Sequence, residues 1–85
     1  VLAPRLSINI YPNPTKLNSI INISSNESIR YIDVFDMNGR KILSMRDEKG
    51  FISLDLKDIQ SSGIYIIRLI DNKGNFNTQK VILIE

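Results

Sequence analysis

An all-β sandwich of about seven short antiparallel strands is what this 85-residue sequence predicts, on three observations. Apolar residues recur with a period of two in short runs. Turn-forming Asn, Asp, Gly and Pro separate those runs at close intervals. No stretch sustains the i, i+3, i+4 spacing of an amphipathic helix. The strands fall at about 7–11, 19–24, 29–36, 40–46, 51–56, 64–70 and 76–84.

Residues 1–5, with Pro4 among them, read as the end of a linker, and residues 6–85 as one domain. A domain of this size buries only about 60% of the surface its unfolded chain exposes, so its core is small. Leu6-Ser7-Ile8-Asn9-Ile10 alternates as a half-buried strand does and stops at Tyr11-Pro12-Asn13-Pro14. Each proline fixes its own φ, lacks an N–H and forces its predecessor to extended geometry. Two of them around one Asn make a stiff corner expected to end sheet pairing.

Ile21 and Ile23 share one face of the second strand, and Ile32 and Val34 one face of the third. Ile52, Leu54 and Leu56 align in the fifth. Asp-x-x-Gly recurs at 36–39, 47–50 and 71–74, each time between apolar runs. Asp can accept hydrogen bonds from the turn's own backbone, and Gly can supply a left-handed φ, so each is expected to close a hairpin. Lys57 to Ser62 lacks alternation and reads as either a helical turn or an irregular crossover between sheets, with Leu56 and Ile59 pointing inward.

The longest apolar run, Gly63-Ile64-Tyr65-Ile66-Ile67-Arg68-Leu69-Ile70, is paired by this reading with the last segment, Lys80-Val81-Ile82-Leu83-Ile84-Glu85. Both strands are apolar on both faces, more than a two-layer sandwich needs. Either a loop covers the second face, or the hairpin offers an apolar patch or strand edge to a partner or a second copy.

Composition removes most chemistry. With neither Cys nor His there is no disulfide, no thiol nucleophile, no Ser-His-Asp triad and no usual zinc ligand set. Asp33 with Asp36, Asp47 with Glu48, and Asp55 with Asp58 could pair as carboxylates, but each pair sits in or beside a turn, where solvated acids are expected. The Asp-containing loops lack the spacing that surrounds calcium with oxygens, and four isolated glycines make no phosphate loop. Net charge is +2, with Lys and Arg scattered along the chain, which is not a nucleic-acid footprint. No run approaches the ~18 apolar residues of a membrane helix. The chain reads as a non-enzyme without cofactor.

Four motifs in order carry a family resemblance. Tyr11-Pro12-Asn13-Pro14 resembles the opening of the type A C-terminal sorting domains of the type IX (Por) secretion system of Bacteroidota. Val34-Phe35-Asp36-Met37-Asn38-Gly39-Arg40 resembles their Asp-x-x-Gly hairpin. Leu54 to Ile59 followed by Ser62-Gly63-Ile64-Tyr65-Ile66-Ile67-Arg68 resembles their Gly-x-Tyr segment. Lys80 to Glu85 resembles their basic-then-apolar last strand. The likeness spans residues 6–85.

That resemblance implies an immunoglobulin-like β-sandwich acting as an address on a larger exported protein. The parent would cross the inner membrane with a signal peptide and the outer membrane through the type IX translocon. A cell-surface sortase would then cleave near or before residues 1–5, and cargo would be released or anchored to anionic lipopolysaccharide. The implied partners are translocon components and the sortase. The implied recognition residues are Pro12, Asn13, Pro14, Gly63, Tyr65, Lys80, Val81, Ile82, Leu83, Ile84 and Glu85. Residue chemistry alone gives most of these a structural role: the prolines a corner, Gly63 a backbone angle, Tyr65 a core place with its hydroxyl on backbone. Lys80 has no packing reason to be there. The competing reading is an immunoglobulin-like accessory module that binds carbohydrate or protein for a secreted enzyme.

Overall fold

A computed structural model describes residues 6–85, and the expected linker at 1–5 lies outside the described residues. The alternating runs are strands: β1 (Ile8–Tyr11), β3 (Ile20–Ser25), β4 (Ile29–Phe35), β5 (Lys41–Glu48), β6 (Phe51–Asp55), β7 (Gly63–Asp71) and β8 (Phe76–Ile84). An eighth, β2 (Thr15–Lys16), was not expected. The small sheet has the order β1-β3-β6 and the large one β2-β8-β7-β4-β5. Placing the first, third and sixth strands opposite the rest is the strand partition of an immunoglobulin-type sandwich. The all-β fold class is as the sequence predicts.

The period of two sets what lies between the sheets. Ile21 and Ile23 of β3 and Ile52 and Leu54 of β6 face Ile32, Val34, Ile67, Leu69, Val81 and Leu83 of the large sheet, and all are buried. Each such side chain contributes about 1.5–3 kcal/mol by leaving water. Leu56 and Ile59 also point inward, and the Ile59 N–H closes a turn on the Leu56 carbonyl at 3.0 Å.

Two expectations need correction. Not every strand pair is antiparallel: β2 runs parallel to β8, with Thr15 opposite Leu83 and Lys16 opposite Ile84. The proline corner therefore redirects pairing from one sheet to the other rather than ending it. Two residues carry no periodicity, so nothing in the pattern could announce β2. The second correction concerns residues 47–50. The turns at 36–39 and 71–74 do close hairpins, with Gly39 at φ 82° and Gly74 at φ 88°. The third joins β5 to β6, which lie in different sheets. Gly50 is not among the glycines with positive φ. A Cβ there would lie 3.1 Å from the Ser25 carbonyl oxygen, so it is close backbone approach that favours glycine.

Candidate functional site

The residues singled out by resemblance, dispersed over most of the sequence, meet along β8. At its outer edge stands the corner. Pro12 and Pro14 have no N–H to offer a neighbouring strand, and both of their preceding peptide bonds are cis. The Asn13 side chain takes over that work. Its Nδ2 donates to the Lys80 carbonyl at 2.8 Å, and its Oδ1 accepts the Ile82 N–H at 3.0 Å. The Leu17 N–H then donates to the Ile84 carbonyl at 2.8 Å, continuing the parallel pairing of β2. A strand edge that would otherwise be open is occupied from Lys80 to Ile84.

On the other flank of β8, Gly63 pairs with Leu83 and Tyr65 with Val81. Gly63 enters β7 at φ 145°, a region L side chains rarely adopt. Tyr65 is buried, and its hydroxyl donates to the Ser61 carbonyl at 2.6 Å, four residues upstream. This is the tyrosine-corner arrangement of immunoglobulin-type sandwiches. It pins the irregular 56–62 connection to the start of β7.

β8 itself is split by its pleat. Val81 and Leu83 are core residues, while Lys80, Ile82 and Ile84 project from the outer face of the large sheet. Glu85 follows them, exposed. Among the described residues no loop covers this face at the hairpin: Ile64 is 36% exposed, Ile82 39% and Ile84 43%. Of the two readings of the surplus apolar surface, the structure shows an open apolar patch. The Lys80 ammonium forms no ion pair among the described residues.

Further across the same face lies a charge cluster that sequence reasoning missed. Asp33 is buried beneath Arg68 (3.3 Å), Lys41 (3.5 Å) and the Ser44 hydroxyl (2.8 Å). Burial pushes its pKa up. The hydrogen bonds from Ser44 and Arg68 and the Lys41 charge outweigh that and hold it below the ordinary value. Arg68 also stacks on the Phe35 ring at 5.2 Å. The only usable signal was the period of two, which puts Asp33 and Arg68 on the outward face of their strands; the pairing of β4 with β7 then aligns them.

Nothing in this arrangement resembles a reaction centre; it is a surface made from one strand and the elements that flank it. A family model described as the secretion system C-terminal sorting domain matches residues 9–85. The chain belongs to that family. This sorting domain is accordingly a secretion signal for the type IX system, directing export through the outer membrane to the cell surface or medium. Its family is not catalytic, and its role implies interaction with the type IX machinery. No curated protein matches the chain closely enough to count as a relative. Nothing supports the accessory binding module.

Proposed function

We propose that the type IX translocon reads this sorting domain at the composite surface formed by the proline corner and β8. The observation that carries the reading is the Asn13 side chain, which joins the first motif to the last through two hydrogen bonds. The exposed residues Pro12, Pro14, Lys80, Ile82, Ile84 and Glu85 make the contact. Asn13, Gly63, Tyr65, Val81 and Leu83 hold that surface in shape. A cell-surface sortase then cleaves the parent upstream of the folded unit at residues 6–85, near or before 1–5. The domain is the substrate of these steps rather than their catalyst, in keeping with a chain that has neither His nor Cys. Self-association, where it occurs, uses the Ile82 and Ile84 face, because Asn13 and β2 already occupy the neighbouring edge.

The test is a fusion of a signal peptide, a fluorescent cargo and residues 1–85, expressed in a Bacteroidota strain with and without its translocon. Cargo should reach the surface or medium only in the intact strain, and removal of Lys80 to Glu85 should abolish this. Cargo retained in the periplasm of both strains would sink the proposal.

A further inference from the structure

The formal charge of the chain is only +2, yet folding sorts its charges by face. Strand register places Lys16 beside Ile84, Ile66 beside Lys80, Arg68 beside Asp33, and Arg46 beside Tyr31 on the outside of the large sheet. Lys41 reaches Asp33 on the same side. Among the described strand residues of this face, Asp33 is the one carboxylate, and it is buried under its own cations. Of the other described carboxylates, Glu85 follows the last residue of β8 at the rim of this face, while Glu27, Asp36, Asp58 and Asp71 lie at turns and strand ends and Asp55 on the small sheet. Between Lys16 and Lys80, at the end of the sheet where β7 begins and β8 ends, lie Ile64, Ile66, Ile82 and Ile84, none of them fully covered; Arg68, Lys41 and Arg46 stand further across the same face.

We infer that this outer face is a docking surface for a protein that presents carboxylates beside an apolar patch. The inference deepens the sorting reading and rests on it for the partner's location. It widens the contact from β8 to the whole large sheet and assigns the partner's charge. Apolar contact combined with solvated polar groups, with Arg and aromatic residues enriched, is usual in specific interfaces. Here the Arg46 guanidinium is stacked on Tyr31 at 5.6 Å and Arg68 on Phe35 at 5.2 Å. Stacking fixes a planar fork before the partner arrives, which suits discrete carboxylates better than mobile lipid headgroups. Lys16 and Lys80 flank the isoleucines and form no ion pair among the described residues, so their charges remain available.

The experiment uses the exported cargo fusion in the translocon-positive strain. One variant combines Lys16→Glu, Arg46→Glu and Lys80→Glu. A second combines Lys49→Glu, Lys57→Glu and Lys73→Glu, which changes net charge equally but away from this face. Thermal melts of the purified domains establish that both fold, and a Gln series at the same positions replaces any that does not. Export of the first variant should fall roughly tenfold or more, as expected for reversed charge complementarity, while the second stays near wild type. Equal export of the two variants would overturn the inference while leaving the sorting reading intact. Loss of export by the wild type would sink both. The purified domain is also mixed with phosphatidylcholine vesicles with and without phosphatidylglycerol. Binding to the anionic vesicles that the first variant loses would reassign the face to lipid and overturn the protein partner.

Discussion

Asn13 and Ile82 stand at opposite ends of the chain, yet Asn13 Oδ1 accepts the Ile82 amide hydrogen at 3.0 Å while its Nδ2 donates to the carbonyl of Lys80. One side-chain amide thus supplies the acceptor and donor that a neighbouring strand would have supplied. The prolines on either side make this substitution necessary, since neither can donate from its own nitrogen. The result caps an edge that would otherwise invite pairing with another chain. It also ties the outward direction of Lys80, Ile82 and Ile84 to the integrity of the corner.

Replacing Asn13 with Ala should therefore loosen β8 from outside without touching the core. Two hydrogen bonds of ordinary strength are lost, worth about 1–2 kcal/mol together at this exposed site. The Ile82 amide should exchange with solvent markedly faster, while amides at the centre of β4 and β7 keep their protection. Asn13→Asp keeps the acceptor but sets a carboxylate against the Lys80 carbonyl, and should be at least as destabilising as Ala. Unchanged exchange at Ile82 in both variants would remove the clamp from the account.

Tyr65 offers a contrast, because its position in the family motif and its role in the fold coincide. Tyr65→Phe leaves the ring in the core and strips the Ser61 carbonyl of the donor 2.6 Å away. Loss of about 1 kcal/mol of stability is expected, read as a lower urea midpoint with the m-value unchanged. Export of a fused cargo at a temperature well below the melt should survive. Export lost from a folded Tyr65→Phe domain would mean that the hydroxyl is read directly.

Much of this is legible in the sequence alone. Period-two alternation located seven strands to within a residue or two, and it picked Ile21, Ile23, Ile32, Val34, Ile52 and Leu54 for the core. Local turn chemistry was right wherever the turn joined neighbouring strands. It failed at Asp47 to Gly50, because an Asp-x-x-Gly turn specifies a backbone path and not which sheet comes next. The corner was legible as a stop, but the Asn13 side chain bonding residues almost seventy positions away leaves no periodic trace. The basic face was hidden for the same reason. Lys16, Arg46 and Lys80 are scattered in sequence and come to share the outer face of one sheet only through strand order and register.

Core and patch should respond differently to truncation even though both are isoleucine-rich. Ile67→Ala opens a cavity at a site that is 1% exposed and should cost about 2–5 kcal/mol, a large share of what so small a domain has. Ile82→Ser removes a side chain already in water on one side and should cost roughly 1 kcal/mol or less. Melts of the two proteins give the comparison. A loss for Ile82→Ser as large as for Ile67→Ala would mean that the outer face is packed in solution rather than open.

Acid should weaken the fold through Asp33 and Asp71. Burial pushes the Asp71 pKa up, but the Asn75 side-chain amide and the backbone N–H groups of Asn75 and Lys73 outweigh it, so its net shift is downward. Asp33 is lowered likewise, by Ser44, Arg68 and Lys41 acting against its burial. In the unfolded chain both would titrate near 3.8. The unfolded state then takes up these protons at higher pH than the folded state does. The stability they contribute is therefore full above about pH 5, declines as pH falls through the unfolded value, and is gone below the folded ones. Asp33→Asn with Asp71→Asn should be less stable than wild type at pH 7, because Arg68 and Lys41 lose their counter-charge and the 71–75 turn loses an acceptor. Between pH 5 and about pH 2.5 its urea midpoint should fall less steeply than that of wild type, since two proton-linked groups have been removed. Parallel slopes in the two proteins would place the acid sensitivity in other carboxylates, leaving Asp36, which its own backbone contacts also lower, as the next to substitute.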